Sequence, residues 1–261
     1  MKSETIKAGQ YNFSYTYHKG KKPITILPIH GLGGSKDYWQ LIHNYPELTQ
    51  YSILAPDLVG YGDSQPPPKG FKYNMREQAT ALKSLIDAVP VKDDMLLIPH
   101  SMGGPIGVYL AQLLGKRVKG IVYAEGNIDF NDCFGSNLVI TKYTFEEYVA
   151  TGFEKGLNAM KKRGEHQGII DSQSKAGAVT IYRSSEDLVK VSREDKLAGE
   201  LKALNVPTLV VYGEKNKGLW TSEKKMAELF PLVYTPGAAH IMMVDNPAAF
   251  YGEVTKFANG L

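Results

Sequence analysis

Leu97-Ile-Pro-His-Ser101-Met-Gly-Gly-Pro105 passes from a short apolar, strand-like run through a serine and into small residues. Helical sequence follows at once: Met102–Leu114 carries Ile106, Tyr109, Leu110, Leu113 and Leu114 as its apolar positions. A serine on a tight strand-to-helix turn sits at the carboxyl end of a sheet and at a helix N-terminus. There, backbone N–H groups without intrahelical partners are free to bind an oxyanion. Pro105 suits the first helical turn, where a missing N–H costs no intrahelical bond. Pro99 departs from the G-x-S-x-G form of such a turn, in which that place is small. The plainer alternative is a serine that merely caps an α/β helix.

The same alternation extends in both directions. Thr25–Ile29, Ser52–Ala55, Met95–Ile98, Gly120–Ala124 and Thr208–Tyr212 are short apolar runs rich in β-branched residues, as suits parallel strands covered on both faces. Thr5–Ala8 and Asn12–Tyr17 alternate polar and apolar residues like half-exposed antiparallel strands. Helical patterns fall between them: Met75–Val89 behind an Asn74/Glu77 capping signal, then Thr221–Leu229 and Pro247–Ala258. The fold class is therefore α/β, a mostly parallel twisted sheet flanked by helices. Between Asn127 and Asn205 there is no convincing buried strand. Thr144-Phe-Glu-Glu147 opens a helical stretch, Phe145–Arg163, and Ala176–Leu188 and Arg193–Leu204 also read as helices. That length exceeds a connecting loop, so the chain divides into a core (1–126), a helical cap inserted after strand six (127–205), and the rest of the core (206–261).

Composition narrows the function. With 43% hydrophobic residues, the chain of 261 residues has ample material for a buried core. Its 30 basic and 27 acidic residues leave a net charge of +3, without a basic stripe for nucleic acid. The lone Cys133 forms no internal disulfide and suits a buried packing position. No cysteine–histidine spacing points to a metal, and no apolar run is long enough to span a bilayer. A cytoplasmic protein with no cofactor, no metal, no nucleic-acid partner and no stable membrane insertion is expected.

Two more segments bear on chemistry. His30-Gly-Leu-Gly-Gly34 follows a strand directly, so its backbone approaches a ligand closely. The N–H groups of Leu32 and Met102 would make a two-donor oxyanion hole. Neither a P-loop nor a G-x-G-x-x-G pattern is present, which argues against a phosphate cradle. Among six histidines, only His240, in Gly237-Ala-Ala-His240, lies in a small-residue loop after a late strand and before a helix. Histidine is the side chain whose ordinary pKa suits proton shuttling near neutrality.

Taken in order, His30-Gly31, Pro56-Asp-Leu-Val-Gly-Tyr-Gly-Asp-Ser64, His100-Ser101-Met102-Gly103 and His240 resemble the motifs of the α/β-hydrolases, over nearly the whole chain. The resemblance implies the α/β-hydrolase fold, Ser101 as nucleophile and His240 as base. That family's usual acid follows the seventh strand, where this chain has Asn216, and an amide cannot stabilise an imidazolium by charge. Glu125, at the end of the sixth strand, is similar in placement to the acid of one branch of the haloalkane dehalogenases, and is the expected triad acid. Asp129 and Glu214 are the other candidates. The dehalogenase nucleophile is an aspartate, so the likeness does not extend to halide displacement.

The resemblance implies a cofactor-independent, carboxylesterase-like serine hydrolase acting on a small-molecule acyl substrate, with an acyl-enzyme on Ser101. Trp39, Phe134, Leu138, Phe145, Tyr148 and Tyr182 are the expected apolar lining of its pocket. Cleavage of C–C bonds or amides fits the same motifs. From another class, a ligand-binding module with weak catalysis is kept open by Pro99 and Asn216.

Overall fold

The computed structural model describes residues 2–92 and 94–261. An antiparallel hairpin, β1 (Glu4–Ala8) and β2 (Tyr11–His18), opens one edge of an eight-stranded sheet. β3 (Ile24–Ile29), β4 (Ser52–Pro56), β5 (Asp94–Pro99), β6 (Val118–Ala124), β7 (Thr208–Gly213) and β8 (Leu232–Thr235) complete it, in the order β1-β2-β4-β3-β5-β6-β7-β8. From β4 onward every pairing is parallel. Side chains alternate across a strand, and both faces are covered here. Leu27, Leu97, Ile121 and Val210 enter one apolar core, while Ile26, Leu96, Val122 and Leu209 enter the other.

Helices α1 (Met75–Ala88) and α2 (Gly103–Leu114) pack on the first face. Asn74 caps α1 by accepting the Glu77 N–H at 2.7 Å. The Glu77 carboxylate accepts from Lys72 N–H instead, so only half of the expected capping box forms. After β6 the chain runs through α3 (Phe134–Lys142), α4 (Phe145–Glu147), a π turn (Tyr148–Gly152), α5 (Phe153–Lys162), α6 (Gln167–Arg193) and α7 (Leu197–Ala203) before returning as β7. Helix α8 (Thr221–Leu229) precedes β8, and α9 (Met242–Asp245) and α10 (Pro247–Asn259) follow it.

Periodicity places a helix over 176–188, but α6 begins earlier, at Gln167, and breaks at Gly177, where φ is 76°. The first half of α6 is held by polar groups that apolar periodicity does not register. Ser172 Oγ lies 2.8 Å from Ser35 Oγ, and Lys175 pairs with Asp63 at 2.8 Å. The helix expected over 193–204 shortens to α7, behind a turn with Asp195 at φ 51°.

Candidate active site

Ser101 stands at the turn between β5 and α2 with φ 54°, a left-handed conformation that costs an L-residue about 1–2 kcal/mol. Four backbone hydrogen bonds hold it. Ser101 N–H donates to Ala124 O (3.2 Å), and Gly103 N–H to His100 O (2.7 Å). Gly104 and Asn127 N–H both donate to Ser101 O, at 2.7 and 3.0 Å. Close packing explains the small residues that follow: a Cβ at Gly103 would lie 2.5 Å from Ile29 O, and one at Gly104 would strike the Tyr123 hydroxyl. Pro99 is accommodated across this interface, because Gly107 leaves open the space where its own Cβ would sit 2.7 Å from that of Pro99.

The glycine loop after β3 lies against this serine. A Cβ on Gly31 would be 2.8 Å from Ser101 Cβ and 3.2 Å from its Oγ, so only glycine permits that approach. His30 fastens the loop from behind. Its Nε2 accepts the Leu58 N–H (3.0 Å), which leaves Nδ1–H to donate to Gly31 O (2.8 Å). Burial pushes the His30 pKa down, which keeps the ring in the neutral form this pattern needs. Among the described residues, the N–H groups of Leu32 and Met102 have no protein acceptor. The Gly33 N–H of the same loop is likewise without one.

His240, in the loop between β8 and α9, directs Nδ1 at Glu125 Oε2 across 2.6 Å. The carboxylate fixes Nδ1 as the protonated nitrogen, so Nε2 carries the lone pair. The ring remains part exposed, at 31%, whereas the Glu125 side chain is 3% exposed. His100, the residue before the serine, donates from Nε2–H to the His240 carbonyl at 2.8 Å. Burial pushes its pKa down to about 3, so it stays neutral and in place.

Glu125 follows β6 directly, at φ 40°. Strands β6 and β7 are neighbours, with Ala124 opposite Val211, so the ends of both open onto one spot. Gly213 N–H donates to Glu125 Oε1 at 2.6 Å. The Asn216 amide donates to both oxygens, at 3.1 Å to Oε1 and 2.9 Å to Oε2. An amide at the usual acid position thus serves as a donor to the carboxylate from the neighbouring strand. The other candidate acids point elsewhere. Asp129 caps a 3-10 turn and meets Thr221 and Lys225, while Glu214 accepts the Gly237 N–H at 2.8 Å.

The expected lining residues separate into three groups. Phe134 stands beside the histidine, with its ring 6.0 Å from that of His240 and stacked at 5.0 Å on Trp220. Trp220 escaped the sequence reading, because nothing in its local pattern sets it apart. Trp39 is fully buried in the second core, 6.4 Å from both Phe250 and His100, and backs the site without facing it. Tyr148 and Tyr182 are buried in an aromatic cluster with Phe145, whereas Leu138 is 62% exposed. Cys133 is buried against Asn127. Asp132, which sequence reading also passed over, stands half-buried in the wall beside His240 and Glu125. It accepts from the Ser222 hydroxyl and from the Ile128 and Asp129 N–H groups. Burial pushes its pKa up to about 6. Among the described residues there is no cluster suited to a metal ion, and no helix is long and apolar enough to cross a membrane.

Known proteins resemble this chain over most or all of its length. Lipase 3 of Moraxella sp. (strain TA144) is 23% identical over all of this chain and 85% of its own. A putative 2-succinyl-6-hydroxy-2,4-cyclohexadiene-1-carboxylate synthase of Bacillus subtilis (strain 168) is 21% identical over 90% of each. The crystal structure of a membrane phospholipase A, a bacterial virulence factor, superposes with a TM-score of 0.77 at 22% identity, covering 99% of this chain and 86% of that one. The alpha/beta hydrolase fold family itself matches residues 24–160, more than half of the sequence. With the strand order, the turn at Ser101 and the loop after β3 all in agreement, the chain belongs to the alpha/beta hydrolase fold family.

Proposed function

We propose that the protein is a serine hydrolase that cleaves a carboxylic ester or a similar small acyl substrate. The observation that carries this reading is the His240 Nδ1–Glu125 Oε2 hydrogen bond, at 2.6 Å, beside a serine on a strained strand-to-helix turn. Ser101 Oγ attacks the acyl carbon while His240 Nε2 takes its proton. The negative charge on the carbonyl oxygen falls to the Leu32 and Met102 N–H groups. As the tetrahedral intermediate collapses, His240 passes the proton to the leaving oxygen, and the acyl group stays on Ser101. Water then repeats the sequence with His240 as base and frees the acid. Glu125 stays ionised throughout, holding the imidazole in its productive tautomer and stabilising the imidazolium. Asn216 and the Gly213 N–H keep that carboxylate turned toward the ring. Segment 127–205 serves as the cap over this centre.

The lipase and phospholipase likenesses favour ester cleavage over C–C or amide cleavage. Two observations weigh against a catalytically weak binding module: Asn216 donates to the Glu125 carboxylate, and Gly107 leaves room for Pro99. The test is intact mass after exposure to a fluorophosphonate, followed by peptide mapping. One adduct per chain on Ser101, absent from Ser101→Ala and strongly slowed in Glu125→Gln, is the expected result. No adduct on a folded protein would overturn the assignment.

A further inference from the structure

His100 touches the serine turn, the glycine loop and the base, yet the reaction gives it no proton to move. Its backbone lies inside the turn: the His100 N–H donates to Ile29 O at 2.9 Å, and its carbonyl accepts the Gly103 N–H at 2.7 Å. Its ring reaches from that turn to lie beside the ring of His240, with centroids 4.7 Å apart. There Nε2–H donates to the His240 carbonyl at 2.8 Å. On the other edge, a Cβ on Gly31 would be 3.3 Å from Nδ1, so the glycine loop closes over that nitrogen. Trp39 backs the ring, with centroids 6.4 Å apart.

This is a costly place for a histidine. The residue is 2% exposed, and Nδ1 has no hydrogen-bond partner among the described residues. A buried polar atom left unpaired is destabilising, and a phenyl ring would fill much the same space without one. What the imidazole alone supplies is the Nε2–H donor.

Its acceptor belongs to the loop between β8 and α9, which has to hold His240 within reach of Ser101. The residues before His240 are tied elsewhere: Ala238 N–H donates to Thr235 O, Ala238 O accepts the Lys215 N–H, and Ala239 N–H donates to the Asp245 carboxylate. Among the described residues, the bond from His100 is the one hydrogen bond made to the His240 backbone. It joins the base directly to the residue that precedes the nucleophile.

We propose that His100 is a positioning residue, which sets the place of His240 relative to Ser101 through the Nε2–H bond to the His240 carbonyl. The proposal rests on the serine-hydrolase reading and adds a residue to its machinery. The test compares His100→Phe, which keeps a buried ring and removes the donor, with His100→Gln, whose amide nitrogen has much the same reach as imidazole Nε2. Misplacing a catalytic group by about 1 Å costs about a hundredfold. His100→Phe should therefore lower kcat on a methyl ester about a hundredfold, with KM within about twofold and a thermal midpoint at or above that of the wild type. His100→Gln should recover about tenfold of that loss. Wild-type kcat in His100→Phe, or an equal loss in both variants, overturns the proposal. So does a loss of kcat matched by a fall in thermal midpoint, which would mark the ring as structural only. Histidine 15N NMR of the wild-type protein tests the same bond without a variant. At neutral pH the His100 ring should be the Nε2–H tautomer, and an Nδ1–H ring would overturn the proposal. Absence of the fluorophosphonate adduct from wild-type Ser101 would instead overturn the serine-hydrolase reading beneath it.

Discussion

The two halves of the candidate catalytic centre are assembled in different ways. The serine half is mostly local: strand, turn and helix are consecutive in the chain, and only Ala124 O, at the end of β6, and the Asn127 N–H, just beyond it, reach the Ser101 backbone from afar. The acid half is built from afar. Glu125 follows β6, Gly213 ends β7 with Asn216 just beyond it, and His240 lies beyond β8, all meeting through one carboxylate. A local device stands or falls with a single turn. An assembled one is specified by which strands are neighbours, so the same charge can be supplied from either of two adjacent strand ends.

The largest expected effect separates the halves by chemistry. Ser101→Ala should lower kcat on a methyl ester about a million-fold, and Glu125→Gln about ten-thousand-fold, with the fold intact by circular dichroism. Equal activity of Glu125→Gln and wild type would remove Glu125 from the mechanism.

A sharper test moves the acid. In the double variant Glu125→Gln, Asn216→Asp, the carboxylate is returned to the end of β7, beside the place where Glu125 Oε2 approaches His240. About a hundredfold recovery in kcat over Glu125→Gln is expected, because the charge is restored while its geometry is not optimised. Asn216→Asp alone should lose about tenfold, since two carboxylates within 3 Å share a proton. No recovery in the double variant would mean that the β7 end cannot present an acid to this histidine.

The contrast also explains what can be read without a structure. The sheet, its flanking helices and the serine turn follow from short-range pattern: apolar runs, caps and a serine among small residues. That Glu125 would lie against His240 depends on β6 and β7 being neighbours, which local pattern does not carry; family likeness alone pointed to it. The role of Asn216 as donor to Glu125 is a property of the assembled site, visible only with both strand ends in view. Trp220 and Asp132 went unnoticed for the same reason. The first half of α6 was missed because it is held by Ser172 and Lys175, and polar attachments leave no apolar period.

Asp132 supplies a prediction for stability. It stands half-buried in the wall of the assembled half, and its pKa is raised from 3.8 to about 6. The native state thus binds this proton more tightly than the unfolded chain does. The resulting stability is fully present below about pH 4 and is lost as pH rises through 6, by about 3 kcal/mol at most. Urea unfolding between pH 4 and 7 should show a decline in that window beyond what Asp132→Asn shows. Parallel curves for the two proteins would remove the effect.

The smallest expected effect belongs to the local half and concerns why its turn tolerates a proline. Pro99 and Gly107 are one fitted pair: the ring occupies space that any side chain at 107 would claim, with a Cβ there only 2.7 Å from that of Pro99. Gly107→Ala improves helix propensity by about 1 kcal/mol yet should destabilise the protein, because overpacking a tight interface costs about 1–3 kcal/mol. Adding Pro99→Gly removes the obstructing ring, so the double variant should recover at least half of that loss. Denaturation midpoints of the four proteins form a double-mutant cycle, and the coupling between the sites should be about 1 kcal/mol or more. Additive effects would mean that α2 yields to the methyl group by shifting. In that case Ser101, carried on the same turn, should shift with it, and esterase activity would fall in Gly107→Ala beyond what its stability accounts for.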